Sequence, residues 1–216
     1  MITLAEELVL LAVEDDGRIA YTAGLPGFGM AVIGACRVGL SEVGRLDADL
    51  REIRVVSATP TGVPVLDKVL SLVVAGPRLA IEPWVLELRD HAHELVGLTL
   101  GELVRRGILQ QSEARFLWVL KSRRYPVVDG REQKEAKLRI LSTLLGEDLP
   151  TPHDTALIGL ARAAGLLAGF ISAAEIARLE SRIDEVGGID LLVRGVEDAI
   201  RADNAARAQI YMHPVC

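Results

Sequence analysis

The sequence predicts a mainly α-helical protein: a single compact helical domain with small β-hairpins, one of which, at about residues 115–128, projects. Apolar residues recur at helical spacing through most of the chain, and start signals such as Thr3 followed by Glu6 precede several of these stretches. Runs of β-forming residues are short. Half of the 216 residues are hydrophobic, which is enough to bury a large core, so we expect one domain over residues 1–216.

Five helices are predicted before the projecting hairpin. The first follows Thr3 and ends near Val13, and the second, from about Met30 to Val43, follows the glycine-rich stretch GLPGFG at residues 24–29. Such loops can cradle phosphate on free amides, but the preceding extended run is short, so a plain loop with close helix packing is the favoured interpretation. A small hairpin at residues 47–56 and three helices follow: from Thr61 or Gly62 to Gly76, around Pro83 and Trp84 through Leu88, and from His91 to about Arg106.

Four helices are predicted after the projecting hairpin, most of them opening at a polar capping residue. They start at Asp129 with Glu132, at Thr151, at Ser172 with Glu175, and at Ile189, and they end at Gly146, Phe170, Val186 and about Met212. The apolar positions of the first are Ala136, Leu138, Leu141 and Leu145.

The stretch RFLWVLKSRRYPVV, residues 115–128, carries most of the functional signal. Aromatic residues make up 4% of the chain, yet three of them lie here beside basic residues, with no acidic residue in the stretch. Two runs of β-formers, Phe116 to Leu120 and Tyr125 to Val128, flank the polar KSRR and predict a hairpin with a basic tip. Amphipathic rings beside cations suit a membrane interface. The candidate lipid-binding residues are Trp118, Lys121, Arg123, Arg124 and Tyr125.

Two other interpretations of this hairpin stay open: a nucleic-acid wing, and an ordinary hairpin that covers a core. A winged helix is the more specific competitor, because the predicted helix at residues 91–106 leads directly into the ribbon. That helix is apolar along most of its length and carries basic residues, Arg105 and Arg106, only at its C-terminal end. We therefore expect no nucleic-acid partner.

The distribution of charge restricts the partners of this chain. A net charge of -6 argues against a general polyanion binder. Residues 115–139, however, hold eight basic residues against three acidic ones. An anionic partner must therefore be met by this local basic segment.

No sequence motif indicates catalysis or metal binding more strongly than it indicates an ordinary structural role. The chain contains no GxSxG, P-loop, CxxC or HExxH pattern. His91 and His93 are two positions apart on a predicted helix, so they point away from each other and cannot share a metal. His153 lies at a helix start and is expected to serve in capping. We expect no enzymatic activity, no cofactor and no metal.

Location is constrained by the cysteines and by hydropathy. Cys36 and Cys216 form neither a disulfide framework nor a metal spacing, which fits a reducing cytosol. The N-terminus lacks the basic region of a signal peptide, and the uncharged run at residues 163–174 is shorter than the ~20 residues that span a bilayer. We expect a cytoplasmic protein that is peripheral to the membrane.

Five segments, in order, resemble the Golgi phosphoprotein 3 family. TLAEELVLLAVEDDGR is similar to its opening helix, SATPTGVPVLDKVL to its threonine-proline-threonine-glycine segment, EPWVLEL to its tryptophan helix, ELVRRGIL to the helix before its hairpin, and RRYPVVD to the return strand in bacterial members. The resemblance spans nearly the whole chain. A bacterial member also fits the usage of 20 Arg against 4 Lys.

The resemblance implies a mostly α-helical domain that binds membranes peripherally from the cytosol. In eukaryotic members it implies recognition of phosphatidylinositol 4-phosphate by a tryptophan and several arginines, with the hairpin contributing to membrane contact and self-association. The counterparts here are Gly24 for the tryptophan, Ile33 for the first arginine, and His93 and Val96 for an arginine pair. Neutral side chains cannot hold a phosphomonoester through charge-assisted bidentate bonds, so no preference for that lipid is expected.

We therefore expect an adaptor-like protein that binds an anionic phospholipid surface through its hairpin and serves a client protein not identified by the sequence. The alternative is a cytosolic protein-interaction scaffold, a homo-oligomer in which the hairpin mediates self-association.

Overall fold

A computed structural model describes residues 2–20, 26–48, 52–116, 120–146, 149–188 and 190–212. The protein is mainly helical, as predicted, with two small antiparallel sheets of two strands each in the described residues. The helices are α1 Leu4–Leu11, α2 Pro26–Glu42, α3 Pro64–Ala75, α4 Ile81–Leu88, α5 Ala92–Arg105, α6 Arg131–Leu145, α7 Pro152–Ala163, α8 Ala173–Gly187 and α9 Leu191–Met212. Strand β1 (Leu46–Ala48) pairs with β2 (Ile53–Val55), and β3 (Ser112–Phe116) with β4 (Leu120–Arg124).

Three of the predicted helix starts are confirmed and have capping boxes. Thr3 accepts a hydrogen bond from the backbone of Glu6, and the Glu6 carboxylate accepts one from the backbone of Thr3. Ser172 and Glu175 make the same reciprocal pair at α8. Thr151 does so with an aspartate at α7. Each box satisfies two backbone N–H groups that a helix start otherwise leaves unpaired. The predicted cap by Asp129 with Glu132 is wrong, because α6 has Gly130 at its N-cap position, and among the described residues Asp129 only accepts from the backbone N–H of Arg131 at 3.0 Å.

The core is organised around α2, which packs against α1, α3, α5, α7 and α9. All eight residues of α1 are buried, and the buried hydrophobic residues form one cluster drawn from both ends of the chain. This continuous core supports the prediction of one domain over residues 1–216, which stays a prediction.

The glycine-rich stretch is placed differently from the prediction. Its C-terminal part lies inside α2, which begins at Pro26 and not at Met30. A Cβ on Gly29 would lie 2.5 Å from the Cβ of Ala92, so the missing side chain lets α2 and α5 approach each other closely. The favoured interpretation, close helix packing, therefore holds for the described part, while residues 21–25 lie outside the described residues.

Two helices of the second half differ from their predictions. In α6 the buried residues are Gln133, Ala136, Ile140 and Leu144, whereas the predicted apolar positions Leu138 and Leu145 are 52% and 70% exposed. Helix α7 ends at Ala163 and not near Phe170, because the chain turns at Gly165 with a φ of 70° and continues as a 3-10 turn, Leu167–Gly169. Hydrophobicity alone did not reveal either the buried face or the glycine stop.

The predicted register of the projecting hairpin is wrong. The KSRR segment, expected at the tip, is part of β4, and residues 117–119, between β3 and β4 in the sequence, lie outside the described residues. The predicted return strand, Tyr125 to Val128, instead pairs with residues before β3: Leu109 bridges Val127, and the Gln110 N–H donates to the Pro126 carbonyl at 2.9 Å. These contacts at the base hold residues 125–128 against the body, so they cannot pair with residues 116–120.

Candidate functional site

The basic hairpin consists of β3 and β4. Among the described elements, each of these strands makes its extensive contacts with the other strand. The register places Arg115 opposite Lys121 and Glu113 opposite Arg123. Residues directly opposite each other in an antiparallel pair occupy the same face of the ribbon, and alternate positions share it. Three basic positions therefore lie on one face together with a single acidic one. Trp118 and the side chains of Lys121 and Arg123 lie outside the described residues.

Arg124, the last residue of β4, is directed toward the body of the protein. Its Nη1 lies 3.3 Å from a carboxylate oxygen of Asp16, in the turn after α1. The pKa of Asp16 is below its usual value, chiefly because the backbone N–H of Arg18 donates to the carboxylate at 3.0 Å, and the positive charges of Arg18 and Arg124 add to this. Arg124, predicted to contact lipid, thus contributes to the attachment of the hairpin.

Tyr125 is also part of this attachment. The prediction grouped it with the lipid-binding residues, but its side chain is 9% exposed and belongs to the core. Its backbone N–H donates to the carbonyl of Gly17 at 2.6 Å. Gly17 has a φ of 77°, and a Cβ there would lie 2.5 Å from the nitrogen of Pro126. The close approach of the two segments therefore depends on a glycine.

A buried glutamine also stabilises the turn after α1. Gln133, in α6, donates through Nε2 to the carbonyls of Leu10 at 2.8 Å and Val13 at 2.7 Å. Leu10 lies in the last turn of α1 and Val13 lies two residues beyond its end. The turn that receives the hairpin is therefore fixed to α6, and the hairpin has a rigid base.

An ionic cluster that the sequence did not predict lies on α1, α2, α6 and α7. His153 faces Glu7 through Nε2 at 2.9 Å and Glu42 through Nδ1 at 3.0 Å. Hydrogen bonds to Glu42 and then to Glu7 raise the pKa of His153 to about 9, so the ring is protonated at neutral pH. Arg139 adds a second cation, 2.7 Å from Glu7. His153 therefore joins three helices, while Thr151 is the capping residue.

None of the four counterparts of the family's headgroup-binding residues is an arginine or a lysine. Ile33 is fully buried in α2, and Val96 packs against the core. His93 is exposed, and Gly24 lies outside the described residues. In the part of the chain that the structure describes, no group of three or more His, Cys, Asp or Glu residues could hold a metal ion.

The described residues thus form a helical body with a small basic hairpin that is fixed at its base. The model of the family described as Golgi phosphoprotein 3 (GPP34) matches residues 4–202. The chain belongs to the Golgi phosphoprotein 3 family. This is an adaptor-type family and not a family of enzymes.

A search of curated proteins found no match to this chain. Among the helices described here, none is both long enough and apolar enough to cross a membrane.

Proposed function

We propose that this protein is an adaptor that attaches peripherally, from the cytoplasm, to anionic phospholipid surfaces through its β3–β4 hairpin. The observation that carries the proposal is the division of the hairpin into two parts. Arg124 and Tyr125 hold the base against the body, while the basic positions Arg115, Lys121 and Arg123 lie farther along strands whose main contacts are with each other. A rigid base with a basic outer part is suited to present charge to a surface.

The charge of the rest of the chain strengthens this orientation. A net charge of -6 over the whole chain means that an anionic surface repels most of the molecule and attracts the hairpin. Each Lys or Arg near such a surface contributes about 1 kcal/mol, so the three basic positions contribute about 3 kcal/mol. Trp118, between the two strands in the sequence, adds an amphipathic ring of the kind that lies at headgroup depth.

The proposed lipid preference is for negative charge and not for one headgroup. Neutral residues occupy the four positions that correspond to the headgroup-binding set, and Ile33 is enclosed in the core. Without cations in that set, a phosphomonoester finds no bidentate partners there. We expect less than a tenfold preference, about 1.4 kcal/mol, for phosphatidylinositol 4-phosphate over phosphatidylserine.

The test is co-sedimentation with phosphatidylcholine vesicles, with and without phosphatidylserine. We expect binding only to the anionic vesicles. Lys121→Ser with Arg123→Ser removes two cations from the hairpin and should weaken binding about 30-fold, the equivalent of about 2 kcal/mol. The matched control is Arg78→Ser with Arg201→Ser, which removes the same charge from side chains that are 78% and 75% exposed elsewhere. Equal weakening by the two double variants would mean that the hairpin is not the contact.

A second function, self-association through the hairpin, is favoured by the small size of its sheet. In the described residues, β3 and β4 pair only with each other, so each strand has an outer edge with unpaired backbone groups. A second copy could add a strand to such an edge. Light scattering separates the two functions, because Trp118→Ser should leave the mass unchanged if the hairpin binds lipid and should produce a smaller species if it joins two copies.

A further inference from the structure

A cleft of about 800 Å³ lies away from the hairpin and shares no residue with it. It is bounded by the C-terminal half of α2 and by the N-terminal ends of α4, α7 and α9. Its walls combine apolar side chains, among them Val38, Ile81, Leu191 and Leu192, with about as many polar and charged ones, among them Arg37 and Ser41.

Arg37 is the unusual member of this lining. It is 5% exposed, and its Nε is buried without a hydrogen-bond partner in the part of the chain that the structure describes. Its Nη1 donates to the hydroxyl of Ser41, which in turn donates to the carbonyl of Leu46 at 3.0 Å. Among the described residues, no carboxylate forms an ion pair with it, although almost every other buried charge of the protein has one.

An enclosed cation without a counter-ion is costly. Burial lowers the pKa of Arg37, and Asp190 and Asp47 oppose this only from beyond ion-pair distance. A guanidinium nevertheless keeps its proton, because its intrinsic pKa is far above neutrality. Arg37 therefore remains a positive charge beside a cleft, and an anion in the cleft would supply the missing counter-charge.

The helix ends around the cleft have the same polarity. Helix α4 starts after Ala80 without a side-chain cap, and the start of α9 is capped by Asp190, which accepts from the Leu192 N–H at 2.7 Å. The N-terminal end of a helix carries partial positive charge. The uncapped start of α4 thus adds to the potential of Arg37.

The remaining polar residues limit the charge that a ligand can carry. Four carboxylates, from Glu42, Glu82, Asp190 and Asp198, also line the cleft, against two cations, Arg37 and Arg194. This excess of negative charge repels a dianion such as a phosphomonoester about twice as strongly as a monoanion, and a monoanion needs only one cation, Arg37, as its partner. The apolar side chains of Val38, Ile81 and Leu192 suit a hydrocarbon tail.

We propose that this cleft binds an apolar monocarboxylate, with the carboxylate paired to Arg37 and the tail against the apolar walls. Arginine binds carboxylates on the edge formed by Nε and Nη2, which is the edge that the bond to Ser41 leaves open. Nε is enclosed in the present arrangement, so the guanidinium turns toward the cleft when the ligand binds. The proposal is independent of the membrane contact of the hairpin.

Isothermal titration calorimetry on the full chain, at about pH 8, tests the proposal with octanoate as the probe, compared with octanol and octyl phosphate. We expect octanoate to bind, octanol not to bind, and octyl phosphate, a dianion at this pH, to bind at least tenfold more weakly than octanoate. Arg37→Met should weaken octanoate at least tenfold, which is about 1.4 kcal/mol. Arg78→Met, which removes an equal charge from a side chain that is 78% exposed, should leave the affinity unchanged.

A second variant guards against misfolding of Arg37→Met. Leu191 lines the cleft and is 52% exposed, so Leu191→Trp narrows the cleft without disturbing the core and should also weaken octanoate at least tenfold. The proposal is overturned if the wild-type chain gives no binding, if a folded Arg37→Met binds as the wild type does, or if octyl phosphate is the tighter ligand.

Discussion

At the scale of single residues, two adjacent carboxylates on α1 show that some arginines of this protein neutralise buried charges. Glu6 is fully buried and is held by Arg106 at 3.1 Å, and Glu7, 5% exposed, is held by Arg139 and His153. A buried carboxylate is tolerated only with such partners. Arg139 lies in the segment with eight basic residues, so the sequence count overstates the charge that this segment can offer to a surface.

The ionic contacts of His153 predict a pH dependence of stability. The folded pKa of about 9 exceeds the usual value of 6.5, so the ring binds its proton more tightly in the folded state. Its contribution is complete below pH 6.5 and is lost as the pH rises through about 9. The loss is at most about 3 kcal/mol, since one pKa unit corresponds to about 1.4 kcal/mol.

Urea unfolding at about pH 6 and about pH 9.5 measures this loss. The free energy of unfolding should fall more between these pH values for the wild type than for His153→Gln. His93→Gln, at an exposed histidine, is the control and should behave as the wild type does. Parallel pH profiles for the wild type and His153→Gln would show that the histidine does not stabilise the fold by its charge.

At the scale of elements, the hairpin depends on the turn after α1. Asp16 receives Arg124, Gly17 receives the backbone of Tyr125, and Gln133 fixes the end of α1 from α6. Each contact joins residues more than a hundred positions apart. The position of the hairpin relative to the body is therefore decided by this turn and not by the strands themselves.

Gly17→Ala should destabilise the protein by two separate effects. A φ of 77° costs a residue with a Cβ about 1–2 kcal/mol, and that Cβ would also lie 2.5 Å from the backbone of Pro126. Gly62→Ala is the matched control, because Gly62 has a φ of 83° but nothing within 4 Å of its Cβ position. Chemical denaturation should show a loss of about 1 kcal/mol for Gly62→Ala and at least about 2 kcal/mol for Gly17→Ala. Equal losses in the free energy of unfolding would mean that the close approach of Pro126 adds nothing to the cost of a Cβ at position 17.

At the scale of the whole molecule, the distribution of charge governs the proposed membrane contact. The chain carries a net charge of -6, yet the face of the hairpin has three basic positions and one acidic position. In the proposed contact the hairpin meets the anionic surface, and the attraction is electrostatic. We expect such an attachment to be reversible.

Binding to phosphatidylserine vesicles should therefore weaken steeply with salt. Raising the salt concentration from about 0.05 M to about 0.3 M shortens the Debye length from about 14 Å to about 6 Å, which screens charges that remain in solvent. Co-sedimentation across this range should show a progressive loss of bound protein. The variant with Lys121→Ser and Arg123→Ser should show a shallower dependence. If salt leaves the binding of the wild type unchanged, the contact is hydrophobic and rests on residues such as Trp118.

The sequence by itself determined the helical class, the family and most helix starts. Thr3, Thr151 and Ser172 were recognisable because capping is a local interaction between residues three positions apart. The two small hairpins were also predicted, because β-forming residues and turns follow each other closely in the chain. Such features need no knowledge of the rest of the fold.

Only the tertiary structure decided the register of the hairpin, the burial of Tyr125, the contacts of His153 and the unpaired charge of Arg37. Each depends on residues that are distant in sequence. The position of Tyr125 depends on Gly17, and the contacts of His153 depend on Glu7 and Glu42. The unpaired charge of Arg37 depends on the cleft between α2, α4 and α9. Local propensity for a strand spans only about 1 kcal/mol, so a few tertiary hydrogen bonds at the base outweigh it and shift the hairpin. The burial of a charged side chain is likewise a property of the packed helices, because the same arginine would be solvated in any exposed position.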